Sequence, residues 1–324
     1  MKIAVIGAGL SGLIAARELQ TLGHNVDIFE KSRGRGGRLA TKRLDWGAAD
    51  TGAQYFTARD PRFIQEVKHW CNTGVAALWP FTPHKLIDGQ LQPSPDDTLR
   101  FVGTPNMNSM AHHLADSLSV NLNIQIEQID RRDSHWSLVD QKQQAWQGYH
   151  WVVLAIPAAQ AQKLMPSNTL PIASAESLMK PCWALVLGTA GDVNPEIQGV
   201  FGDDVISWVS RLSAKPGRTV PDGCDDLWTL HFSPEWSKSH GKDARKRVAA
   251  IGADWLSHVL GTELAVEHEY LHFWRYAHLD KDVESTSPKV NPDTNIALIG
   301  DWCSGGRVEG AYLSAMDLIA RHFK

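Results

Sequence analysis

Three glycines spaced Gly7-x-Gly9-x-x-Gly12, directly after a short apolar run, constrain this chain more than any other feature. Residues 2–6 read as a buried strand, residues 13–22 carry apolar side chains at helical spacing, and Gly23 is suited to stop that helix. Residues 25–29 then read as a second strand that ends at Glu30. In such a unit the first glycine permits a tight turn, the second lets a pyrophosphate approach the backbone, and the third lets helix and strand pack closely. The helix N-terminus offers unpaired N–H groups and partial positive charge to phosphates. Gly7, Ala8, Gly9, Leu10, Ser11 and Gly12 are therefore the expected phosphate turn. Glu30 lies close to the separation of about 20 residues at which an acid accepts hydrogen bonds from an adenosine ribose, and its charge disfavours a 2′-phosphate.

The next segment separates FAD from NAD. Lys31-Ser32-Arg33-Gly34-Arg35-Gly36-Gly37-Arg38 is a glycine- and arginine-rich loop whose backbone can close over a dinucleotide, with Arg38 placed to neutralise a pyrophosphate. At the far end, residues 295–299 read as a strand leading to Gly300-Asp301, followed by Gly305-Gly306 and Glu309-Gly310-Ala311 and a closing helix with apolar Leu313, Met316, Ile319 and Phe323. This second strand–turn–helix lacks the glycine triplet, so it should hold another part of the same ligand. Asp301 suits a polyol such as the ribityl chain of FAD, and a helix N-terminus near Gly310 and Ala311 can face the flavin N1–C2 edge. Trp302 suits either flavin contact or core packing.

Together these pieces resemble the flavin-containing amine oxidase superfamily. The resemblance rests on Gly7-x-Gly9-x-x-Gly12, Glu30, Gly36-Gly37-Arg38, the run Val152-Val153-Leu154-Ala155-Ile156-Pro157, and Gly300-Asp301 with Glu309-Gly310-Ala311. Within it the chain looks most like the renalase family, through Asp50-Thr51-Gly52-Ala53-Gln54-Tyr55-Phe56-Thr57, Trp228-Thr229-Leu230-His231 and Phe273-Trp274-Arg275-Tyr276. The resemblance implies an α/β fold: a Rossmann-type FAD-binding domain interleaved with a substrate domain built on an antiparallel sheet. The FAD domain would take residues 1–79, 98–157 and 294–324, and the substrate domain 80–97 and 158–293. It implies FAD contacts from Lys31, Gly37, Gly52, Ala53, Gln54 and Ile126 besides the residues above. A substrate wall would come from His231, Trp274 and Gln54 or Tyr55. The implied reaction is hydride transfer from 2- or 6-dihydro isomers of NAD(P)H to flavin N5, with reoxidation by dioxygen to give NAD(P)⁺ and hydrogen peroxide. No catalytic base is required for it, and no acid–base pair or nucleophile stands out. Other readings are a flavin oxidoreductase of an amine or hydrocarbon, and a non-catalytic FAD-binding protein. Trp274 also suits core packing and His231 a satisfied strand position, while Arg275, on the opposite face of a regular strand, is expected in a structural ion pair.

The rest of the sequence narrows the setting. A net charge of −4 does not suit a nucleic-acid face. Cys71, Cys182, Cys224 and Cys303 have neither metal nor redox spacing, which suits a reducing, cytoplasmic compartment. Cys303 lies too near Gly310 to resemble the cysteine of covalent flavin relatives, so FAD is expected to be noncovalent. The apolar N-terminus imitates a signal peptide, but its glycines are better explained by the phosphate turn. No other run is long enough to span a bilayer, and no obligate protein partner is evident. His268-Glu269-Tyr270-Leu271-His272 fits a zinc-protease pattern that needs a helix, yet its surroundings alternate with period two. In a strand, residues four apart stand about 13 Å apart, so no metal is expected there. Helical patterns are expected over 104–118 and 243–260. Strands are expected at 122–129, 136–139, 151–156, 183–187, 205–209, 227–232 and 264–276.

Overall fold

The computed structural model describes residues 1–167, 169–172, 175–241, 244–280 and 287–323. A six-stranded sheet runs in the order Lys289–Asn291, Ile296–Leu298, Trp151–Leu154, Lys2–Ile6, Asn25–Glu30, Ser119–Leu122. Every pair is parallel except the first, where Lys289–Asn291 runs against its neighbour. The central strand explains why such strands are apolar throughout. Ile3 and Val5 pack beneath the helices Leu10–Thr21 and Arg307–His322, whereas Ala4 and Ile6 pack with Trp136 and Leu138 of a second layer. That layer is a three-stranded antiparallel sheet, Ile126–Arg132, His135–Asp140 and Ala145–Tyr149. The chain thus has the Rossmann-type α/β fold, closed by elements from both ends.

A seven-stranded sheet lies across the carboxyl ends of the parallel strands. Its order is Ala265–Leu279, Met179–Ala190, Asp226–Phe232, Ile206–Arg211, Gly199–Phe201, His84–Ile87 and Gln90–Pro93. All its pairs are antiparallel except Gly199–Phe201 with His84–Ile87. Helix Arg245–Leu260 covers one face through Val248 and Leu256, against Leu185, Leu271 and Phe273. Residue 243, the expected start of that helix, lies outside the described residues.

Several expectations from pattern alone need correction. The helix over 104–118 is only Ser109–Ala115. Pro105 lacks a donor and biases Thr104 away from helical geometry, and Asn106 and Asn108 favour turns. The strand over 122–129 is two strands in different sheets, ending at Leu122 and resuming at Ile126. Asn123 between them has φ 57°, a left-handed value that turns the chain out of the parallel sheet. Helix Pro61–Asn72, capped by Asp60 with proline at its start, carries a recognisable start signal in the sequence. His268 and His272 both lie in the strand Ala265–Leu279, where His268 stacks on Trp46 at 5.0 Å. Among the described residues no helix is long and apolar enough to cross a membrane.

Candidate cofactor and substrate site

One large cavity of about 2370 Å³ opens at the carboxyl ends of the parallel strands, between the two large sheets. That far exceeds the ~300–1,000 Å³ of a site for one small molecule, and it sits where ligands bind in open α/β sheets. Its floor begins at the glycine turn. Gly7 has φ 109°, and a Cβ there would lie 2.5 Å from the Ala155 carbonyl oxygen, so no side chain fits. A Cβ on Gly12 would lie 2.0 Å from the Gly7 carbonyl oxygen and 3.1 Å from the Ala155 side chain, which makes Gly12 the contact between helix and strands. Gly9, in contrast, has nothing within 4 Å of such a position and caps the first helix without a side-chain hydrogen bond. The helix N-terminus therefore presents open backbone to the cavity beside Leu10 and Ser11.

Glu30 is buried at the rim and accepts from the Ala8 N–H at 2.9 Å and the Ser32 N–H at 2.8 Å. Its carboxylate thus fixes the turn and the loop after it. Lys31, Gly37, Gly52, Ala53, Ile126, Asp301, Trp302 and Ala311 also line the cavity. Trp302 does so while packed in the core, with its indole donating to the Ile156 carbonyl at 3.1 Å. Arg38 and Asp301 pair with each other, Nη1 to Oδ2 at 2.8 Å with a second contact from Nη2 to Oδ1. A carboxylate only 6% exposed needs such a partner, and the pair ties the N-terminal loop to the C-terminal turn. Four expected contacts, Ala8, Gly12, Glu309 and Gly310, do not line the cavity, Gly12 being taken up by the packing of helix on strand. Ala8 acts through its N–H on Glu30. The Glu309 carboxylate accepts from the N–H groups of Arg59 and Asp60 at 2.6 and 2.8 Å. Gly310 packs against the Ser304 carbonyl because the last helix begins earlier, at Arg307.

The opposite wall is built around the Thr51 carbonyl. It accepts from the Trp274 indole N–H at 2.8 Å and from His231 Nε2 at 3.2 Å. The two donors come from strands on either side of Met179–Ala190, so one loop oxygen holds both rings at the cavity. With Nε2 donating, Nδ1 of His231 is left as an acceptor. Burial pushes the His231 imidazole down to about 3, with His278 and Lys215 adding to the effect, so the ring is neutral at physiological pH. Arg275 also lines the cavity, and among the described residues it forms no ion pair. The pairing register shifts between Lys180/His278 and Cys182/Trp274, so the alternation that would have sent Arg275 to the far face is broken.

Behind this wall lies a network that pattern reading missed. Asp50 accepts from Arg218 Nη2 at 2.5 Å, Thr41 Oγ1 at 2.6 Å and the Met107 N–H at 3.0 Å. Burial works to raise its carboxyl, but Arg218, Lys215 and the hydrogen bonds outweigh this and hold it below its ordinary value. Lys215 is buried, donates to Gln54 Oε1 at 2.8 Å and is held well below the usual lysine range by desolvation. The Gln54 amide in turn donates to the carbonyls of Asp50 and Gly52. Gln54 thus faces the cavity in one orientation. Lys215 and Arg218 are far from Gln54 in sequence, and no local signal joins them.

The buried histidines predict a pH dependence of stability. His231, at about 3, and His272, pushed to about 4 by burial and then by Lys42 and Arg245, both lie below the ordinary 6.5. The unfolded chain therefore binds more protons than the folded one between these values and 6.5. The stability they confer is full above about pH 6.5 and is lost as pH falls toward 4 and 3. Thermal midpoints should fall steadily from pH 7 to pH 4.5, and more shallowly in His231→Gln. An unchanged slope in that variant would show that His231 does not titrate this way.

Comparison with known proteins agrees with the architecture. Residues 5–83 match the family model of the NAD(P)-binding Rossmann-like domain. A flavin-dependent L-tryptophan oxidase of Lentzea aerocolonigenes is 50% identical over 48 residues, 15% of this chain and 10% of that protein. A 4,4′-diapophytoene desaturase of Staphylococcus aureus is 50% identical over 52 residues, 16% of this chain and 10% of its own. The chain thus matches only a tenth of the length of these relatives. Whole-chain likeness is structural. Putrescine oxidase bound to putrescine superposes with TM-score 0.72 at 14% identity, covering 99% of this chain and 100% of that one. Reduced UDP-galactopyranose mutase does so with TM-score 0.76 at 14% identity, covering 98% and 95%. The chain has the fold these proteins share, and since an oxidase and a mutase both use it, the reaction must be argued from the site.

Proposed function

We propose that the chain binds FAD noncovalently in this cavity and is an FAD-dependent oxidase of dihydronicotinamide dinucleotide isomers. What supports FAD is the fit of the residues: open backbone at Gly9 on an uncapped helix N-terminus, Glu30 at the rim, and a second uncapped helix start at Arg307 on the far side. Cys303 is buried, donates to the Leu298 carbonyl and is absent from the cavity lining, which supports a noncovalent cofactor. FAD bound there would supply two-electron chemistry, taking up a hydride from the substrate and delivering the electrons to dioxygen to give hydrogen peroxide.

The chain's own part is to orient a planar ring. The observation that carries the reading is the joint anchoring of Trp274 and His231 on Thr51, which joins the three segments that resemble the renalase family. Trp274 offers a flat apolar face, and neutral His231 can accept a carboxamide N–H at Nδ1. Gln54, locked by Lys215, offers a fixed amide beside them. A dihydronicotinamide becomes aromatic on losing hydride and needs no proton removed, which suits a wall whose histidine is neutral and whose lysine is engaged. Cys182 lines the cavity too, but burial pushes its thiol up to about 12, so it is no nucleophile.

The test is anaerobic mixing of the flavin-loaded protein with 2- and 6-dihydro-NAD(P). Rapid loss of the flavin's visible band, restored by air with peroxide formed, is the expected result. Trp274→Ala should slow that loss about tenfold, the scale of one stacked aromatic contact. An unbleached flavin would reject this substrate class, and an unaffected Trp274→Ala would reduce that ring to packing.

A further inference from the structure

We infer that Lys42, with Arg33 beside it, forms an anion subsite that holds a phosphate of the substrate on the Trp274 side of the cavity. This rests on the proposed dinucleotide substrate and assigns its phosphate arm. Lys42 lies on the strand Thr41–Leu44, which pairs with Gly47–Asp50 and so leads directly into the Thr51–Gln54 wall. The hairpin is laid along the long strand Ala265–Leu279. Trp46 stacks on His268 at 5.0 Å, and Leu44, Trp46 and Tyr270 pack against one small core of Ala49, Val186, Leu212 and Leu227. His272 and Trp274 are the next residues of that same run, at about 7 Å per two residues. Their rings meet at 4.3 Å, and Lys42, Arg33 and His272 all line the cavity.

Lys42 is half-buried and has no ion pair among the described residues, and neither has Arg33. An uncompensated, partly desolvated ammonium beside a cavity is costly, and a bound anion removes the cost. Burial, followed by the neighbouring Arg33 charge, holds the Lys42 ammonium below its ordinary value. Lys42 and Arg245 in turn act on His272, which marks that corner as cationic. The cofactor phosphates have their own site at the Gly7–Gly12 turn, and Arg38 is engaged by Asp301. The cation at Lys42 is therefore surplus to the cofactor. Its position one short step from the ring-binding wall suits a phosphate attached through a ribose to a nicotinamide.

The experiment titrates inorganic pyrophosphate into the FAD-loaded protein by calorimetry, for wild type, Lys42→Met and Lys42→Arg. Pyrophosphate should bind the wild type in a salt-sensitive manner, at least tenfold more weakly in Lys42→Met and nearly normally in Lys42→Arg, with flavin content unchanged. In parallel, Lys42→Met should raise KM for 6-dihydro-NAD about tenfold with kcat retained, and leave the phosphate-free dihydronicotinamide riboside unaffected. Equal pyrophosphate binding by wild type and Lys42→Met, or none by either, overturns the subsite. Loss of FAD from Lys42→Met also overturns it, since the charge would then serve the cofactor. If the isomers fail to bleach the flavin, the substrate reading falls while the pyrophosphate titration still decides the subsite.

Discussion

Asp50→Ala should destabilise the protein by about 3–5 kcal/mol, the range seen when one partner of a buried ion pair is removed. The carboxylate is 1% exposed and its partner Arg218 is 3% exposed, so the guanidinium left behind has no access to water. Lys215, also buried, loses a carboxylate that favours its charged form. The loss should lower the thermal midpoint by roughly 10 °C, given about 2–4 °C per kcal/mol for chains of this order of size. Because Thr41, Met107 and Arg218 all converge on Asp50, the Thr51–Gln54 wall should loosen as well, and flavin affinity should fall with stability. Asp50→Ala combined with Arg218→Met removes the orphaned charge and should recover part of the loss. A single variant that melts within a degree of wild type would show that this network does not hold the wall.

Gly12→Val should abolish cofactor binding, through a different physical route. A Cβ at this position would meet the Gly7 carbonyl oxygen at 2.0 Å, a contact that neither backbone can relieve without the helix lifting from the sheet. Overpacking in a tight core costs about 1–3 kcal/mol and sometimes more. Here the displacement also moves the helix N-terminus away from the phosphates it would hold. Affinity for FAD should fall at least a hundredfold, about 2.7 kcal/mol, read as loss of flavin absorbance on gel filtration. Gly9→Ala is the control, since a methyl there meets no protein atom within 4 Å. It should leave thermal stability of the apoprotein unchanged while weakening FAD. If Gly12→Val retains flavin, the turn does not act as described.

Much of this was legible before the structure, where a local rule was enough. The glycine triplet, the acid at Glu30 and the uncapped helix after Gly9 follow from sterics within one strand–turn–helix, and the structure has each in that place. The strand nature of 264–276 was legible for the same reason, because period-two alternation over a long run is a local signal. Local rules failed where the chain changes partners. The break at Asn123 divides an apolar run between two sheets, and the shifted register near Arg275 brings that residue to the cavity. Glu309 stays out of the cavity lining because the N–H groups of Arg59 and Asp60 supply its donors, and its motif position says nothing of where a carboxylate will find them.

Sequence by itself determined the dinucleotide-type fold and the turn that would hold phosphates, since these depend on backbone geometry over a few dozen consecutive residues. Only the tertiary structure decided the electrostatic arrangement of the site. Burial, which sets the neutral state of His231, the held orientation of Gln54 and the lowered pKa of Lys42, arises from residues far apart in the chain. Desolvation has no local signature, because it is a property of what packs around a group and not of the group's neighbours in sequence.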